Sequence, residues 1–133
     1  MDPWKCKEWQ EFYCDKLFIR SSLRMHYCKE IDGKLKLFFN DFSKWLRKNY
    51  IFPIRVNVYL KSTCYIRAVD GENVSATFWG PFDRTAEPYI KIAAGDYNKL
   101  KTRYDEFNAL CSSIASLAHE LTHYFQWIND WDL

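Results

Sequence analysis

No run of eighteen apolar residues occurs in this chain, so no transmembrane helix is predicted. The opening residues Met1-Asp2-Pro3-Trp4-Lys5 are polar and mixed in charge, and no apolar core follows them. A signal peptide is therefore not expected, and a cytoplasmic location is. An excess of one charge is also missing. Nineteen basic and 17 acidic residues leave a net charge of +2, which gives no electrostatic case for nucleic acid or a membrane as partner. The five cysteines, Cys6, Cys14, Cys28, Cys64 and Cys111, are odd in number and never spaced Cys-x-x-Cys. That argues against a disulfide framework or a four-cysteine zinc ribbon and fits a reducing compartment. Cys6 and Cys14, eight apart on about one face of a helix, are the one pair left open. Internal repeats, linkers and low-complexity segments are absent as well. With 133 residues, one domain spanning 1–133 is expected.

What is present is apolar and aromatic. The hydrophobic fraction is 48%, enough for a packed core, and aromatics reach 19%. Most of these rings are expected to fill that core. Asp2 as N-cap and Pro3 in the first turn predict a helix over 3–18, and Ile19 to Glu30 extends or follows it. After the break at Ile31-Asp32-Gly33, the stripe Leu35, Phe38, Phe39, Phe42, Trp45 and Leu46 predicts a second helix over 34–50. The period then becomes two. Ile54, Val56, Val58 and Leu60 alternate with polar neighbours and predict a strand. Residues 65–79 read as a hairpin about Asp70-Gly71-Glu72-Asn73, and Pro88-Tyr89-Ile90-Lys91-Ile92-Ala93 as a short strand whose proline places it at a sheet edge. A last helix over about 104–129 carries Phe107, Leu110, Cys111, Ile114, Leu117, Ala118, Leu121, Phe125 and Ile128 as its core stripe.

That helix contains His119-Glu120-Leu121-Thr122-His123. Two histidines four apart stand on one helix face about a turn from each other, which suits two corners of a tetrahedral zinc site. Glu120, one step round the helix, is off the metal but near the position of a bound water, where it can act as general base. Against this stands an ordinary exposed pair of helical histidines. The chain has three histidines in all, and two of them fall at this spacing about a glutamate. The third, His26, is read as surface. Ser112, Ser116, His119, His123 and Gln126 mark a more polar face, with Thr122, Tyr124 and Trp127 free to pack round the ligands. Ser112 and Ser116 read equally well as small residues facing a neighbouring helix.

The order of strands, the Tyr-Ile-Lys-Ile-Ala strand and then the Ala118–His123 motif resembles the zincin metallopeptidases, among them small gluzincin-like and ImmA/IrrE- or SprT-like domains. The resemblance covers roughly residues 54–129, and only the five-residue motif in it is specific. It implies zinc as cofactor, His119 and His123 as ligands, Glu120 as the catalytic base and a peptide or protein as substrate. It also implies that Ile90, Lys91 and Ile92 form an edge strand against which an extended substrate pairs.

A catalytic zinc needs a third protein ligand. No Glu follows Glu120, and the position six after His123 holds Asn129, a poor ligand. Asp130, and after it Asp132, could serve beyond a bend at the helix end. A Glu-bearing helix could follow in a longer chain, and the abrupt ending at Trp131-Asp132-Leu133 favours truncation. Or the site is degenerate. Within this chain Asp130 is the expected third ligand; Glu87 and Glu106 are the upstream carboxylates left open. The fold expected is α+β, a small, mostly antiparallel sheet of three to four strands packed on N-terminal helices and the long motif helix. Two functions fit: a zinc-dependent metallopeptidase, and a non-catalytic or regulatory protein-binding module on the same scaffold.

Overall fold

A computed structural model describes residues 2–5, 22–68, 70–83 and 86–129. The helix expected over 3–18 and the Cys6–Cys14 pair lie largely outside them. At the described N-terminus, residues 3–5 form a turn in which Asp2 Oδ1 accepts from Trp4 N at 3.0 Å.

The described residues form three helices and a four-stranded sheet. Strand β1 (Leu23–Tyr27) leads into helix α1 (Gly33–Asn49), then strand β2 (Val56–Lys61). Short strands β3 (Ile66–Arg67) and β4 (Asn73–Val74) follow, then β5 (Ala76–Trp79) and β6 (Tyr89–Ala93). Helix α2 (Tyr97–Arg103) and the 23-residue α3 (Glu106–Ile128) end the described chain. The sheet order is β1-β2-β6-β5. None of these helices is long and apolar enough to cross a membrane.

Three expectations change here. The sheet is mostly parallel, because β1 pairs β2 and β2 pairs β6 in the same direction, and only β5 runs antiparallel to β6. A helical connection between β1 and β2 permits what a tight turn would forbid. Residues 23–27, expected to extend or follow the first helix, are a strand that pairs with β2. Residues 65–79 are not one hairpin. Only Ile66–Val74 and Arg67–Asn73 pair, closed by Gly71 at φ 89°, and β5 leaves to join the main sheet.

Helix α1 starts where Asp32 Oδ1 accepts from Lys34 N and Leu35 N. It buries Leu35, Phe39, Ser43 and Leu46, while Leu37 and Trp45 of the same helix stay exposed. Strand β2 alternates as predicted, with Val56, Val58 and Leu60 inward. They meet Ile90 and Ile92 of β6 and Leu117, Leu121, Tyr124, Phe125 and Ile128 of α3 in one core.

Candidate metal centre

Helix α3 is built by its ends and its stripe. Asp105 caps it, its side chain accepting from Asn108 N at 2.7 Å. The real stripe is rotated slightly from the predicted one: Phe107 and Cys111 are exposed, and Ala109, Tyr124 and Trp127 are buried. Tyr124 fixes the helix against the sheet. Its hydroxyl donates to Ile54 O at 2.5 Å and accepts from Ile54 N at 3.3 Å. Trp127 fixes the end of β5, its indole Nε1 donating to Pro81 O at 3.0 Å. Gly80 lets that ring approach; a Cβ there would stand 2.6 Å from Trp127 Cδ1. Tyr124 and Trp127, expected round the ligands, are thus the anchors that hold α3 in place.

These anchors set the motif's orientation. The His119 and His123 rings lie 5.0 Å apart between centroids and nearly perpendicular, at 85°. His119 is exposed and His123 half-buried, while Glu120 between them is 7% exposed. Burial pushes the Glu120 carboxyl above its usual range, and the neighbouring His123 and His119 pull it part of the way back. His123 Nδ1 meets Gln126 Oε1 at 3.1 Å. Thr122 holds the back of the motif: its hydroxyl donates to Ala118 O at 3.1 Å and accepts from Trp4 Nε1 at 3.0 Å.

A groove of about 510 Å³ opens beside His119 and Glu120. Ser112, Ala115 and Ser116 of α3 form one wall and Val74, Ser75 and Ala76 the other. The polar face of α3 therefore lines open space. The second wall leads into β5, whose one hydrogen-bonded neighbour in the sheet is β6, so β5 is the edge strand beside the motif.

That corrects the expectation for Ile90, Lys91 and Ile92. Their strand is β6, interior to the sheet, with β2 on one side and β5 on the other. Ile90 and Ile92 are 0% and 1% exposed, and Lys91 Nζ lies over the Tyr89 ring at 5.1 Å. Pro88 misled because it stands just before the strand: its carbonyl still accepts from Asn57 N at 3.3 Å, so the missing N–H breaks no ladder bond.

Two residues of the motif could hold a metal. His119 and His123 present imidazoles from one helix face, with a carboxylate between them. Among the described residues no third His, Cys, Asp or Glu joins them. Asp130, the expected third ligand, and Asp132 lie outside the described residues. Glu106 pairs with Lys34 at 3.3 Å and stands thirteen residues before His119, roughly 20 Å along the helix. Glu87 accepts from Asn57 Nδ2 at 3.2 Å beside β2. His26, read as surface, is half-buried in β1, stacked on Tyr59 at 4.6 Å and bonded through Nε2 to Asn57 Oδ1 at 3.0 Å. It belongs to the sheet and not to the site. No family model matches this chain, and neither does any curated protein or solved structure.

Proposed function

We propose that this chain is a zinc-dependent metallopeptidase of the zincin type, acting on peptide bonds. One observation carries the reading: a buried glutamate lies between two helical histidines at the mouth of a groove whose far wall continues into an edge strand. His119 and His123 would hold zinc. Zinc, when bound, supplies a Lewis acid that brings the pKa of a coordinated water into the physiological range.

The chain's own residues do the rest. The edge of β5 that pairs with no described strand offers backbone donors and acceptors to an extended peptide lying in the groove. Glu120 takes the proton of the attacking water as its oxygen bonds to the peptide carbon. It then delivers that proton to the amide nitrogen as the C–N bond breaks. The small side chains of Ser112, Ala115 and Ser116 leave the groove open to such a strand. The anchoring of α3 through Tyr124 and Trp127 holds this constellation on a rigid element.

A second reading has one observation in its favour: the described residues supply two metal ligands and no third. On that reading the same scaffold binds a protein partner without cleaving it. Metal content and cleavage of an unstructured protein separate the two. The expected result is one zinc per chain, lost in His119→Ala, with Glu120→Gln keeping the zinc and losing about 10²–10⁴-fold in cleavage. A zinc-replete chain that carries no metal overturns the peptidase reading. Cleavage unchanged in Glu120→Gln overturns the role of the base.

A further inference from the structure

The two histidines are not held alike. His119 is exposed, and its ring stands edge-on to that of His123 with centroids 5.0 Å apart. His123 is half-buried, and its Nδ1 is engaged by Gln126 Oε1 at 3.1 Å. Gln126 stands three residues on, on the same helix face, where side chains meet. A carboxamide oxygen only accepts, so a neutral His123 facing it carries its proton on Nδ1. Its Nε2 is then the nitrogen with a free lone pair.

We infer that Gln126 is a positioning residue: it holds His123 as the Nδ1–H tautomer and turns Nε2 out as the metal-binding atom. This rests on the metal reading of the site. Metal-binding histidines need this service because the two tautomers present the lone pair on opposite sides of the ring, and a free ring samples both. Glutamine suits the task because its carboxamide oxygen accepts a hydrogen bond without adding a charge. The inequality gives the pair an order. His123 is set in advance, and the exposed His119 would join it as the second ligand to a bound metal.

Two measurements on the full chain test this. Long-range ¹H–¹⁵N correlation spectra of the metal-free protein report each histidine's tautomer, and Zn²⁺ titration against a chromophoric chelator reports affinity. The wild type is expected to show His123 as Nδ1–H. In Gln126→Leu the tautomers should mix and the Zn²⁺ dissociation constant should rise about 10–100-fold, with the melting temperature unchanged. Gln126→Glu, which restores an acceptor, should recover the Nδ1–H tautomer and most of the affinity. An Nε2–H tautomer in the wild type overturns the inference. So does a Gln126→Leu chain with tautomer and affinity both unaltered. A wild type that binds no Zn²⁺ while His123 remains Nδ1–H sinks the metal reading instead, and leaves Gln126 as the group that sets the ring.

Discussion

The two faces of α3 obey opposite rules. On the sheet side Leu117, Leu121, Tyr124, Phe125 and Ile128 are all 0% exposed and packed among other rings and branched chains. On the groove side Ser112 and His119 are exposed, Ser116 half-exposed, and the side chains are small. Glu120 sits on the seam: it is buried, yet it lines the groove beside His119. The difference separates what positions the motif from what lines the groove. The packed face fixes position, and the groove face needs little structure of its own.

That division predicts unequal costs, and the largest falls on the packed side. Phe125 touches the rings of Trp4, Phe52 and Tyr124, so Phe125→Ala leaves a cavity among aromatic groups. Chemical denaturation should show a loss of about 3–5 kcal/mol. A loss below about 1 kcal/mol would mean that this face is not the anchor. Tyr124→Phe is the finer cut. It keeps the ring and removes the hydroxyl, leaving the buried Ile54 N–H and C=O without the partner they share. A loss of about 1–3 kcal/mol is expected in the same measurement. Zinc affinity should fall less than stability if the anchor is spread over several residues.

The two faces also differed in how legible they were in the sequence. The apolar stripe and the histidine spacing both follow from helical periodicity, so α3 and the motif could be read directly. Strand β2 could be read for the same reason, its two-residue period being imposed by a sheet with one buried face. What failed depended on partners distant in the chain. Leu23–Tyr27 does alternate apolar and polar residues, but five residues following an expected helix are too few to separate a strand from its continuation, and the ladder with β2 decides the matter. Tyr89–Ala93 has the composition of a strand, but composition does not say whether one or both of its edges are paired. The edge beside the motif is instead Ala76–Trp79, the last strand in the order, and the Trp127 ring over Gly80 pins the turn that follows it. Tyr124 likewise looked like a ligand neighbour. A register difference of one residue on a helix turns a side chain through about 100°, enough to move it from groove to core.

Glu120 gives the next test, smaller and opposite in sign. Burial raises its folded-state pKa, so folding favours the neutral carboxyl. The stability this gives is fully present below the unfolded pKa and is lost as pH rises through the raised one. In the metal-free chain, Glu120→Gln removes the cost of an ionised buried carboxylate. It should therefore be more stable than the wild type at neutral pH, and the gain should vanish in acid, where both side chains are neutral. Melting curves across that range check it. A stabilisation independent of pH would place the carboxylate in water and break the argument that it lies on the seam.

The smallest effect belongs to His119. It is exposed, no hydrogen bond is recorded for it among the described residues, and it contributes nothing to the packed face. His119→Ala should then leave the metal-free stability within about 0.5 kcal/mol of the wild type. Alanine is also the better helix former, which works against any loss. With zinc the same substitution should matter most. A ligand that binds only the folded chain raises its melting temperature by mass action, so wild type and variant should separate as zinc is added. Equal curves without metal and diverging curves with it would confirm that the groove face carries chemistry and no architecture. A large loss without metal would show that His119 is packed after all, and the two faces of α3 would no longer be distinct.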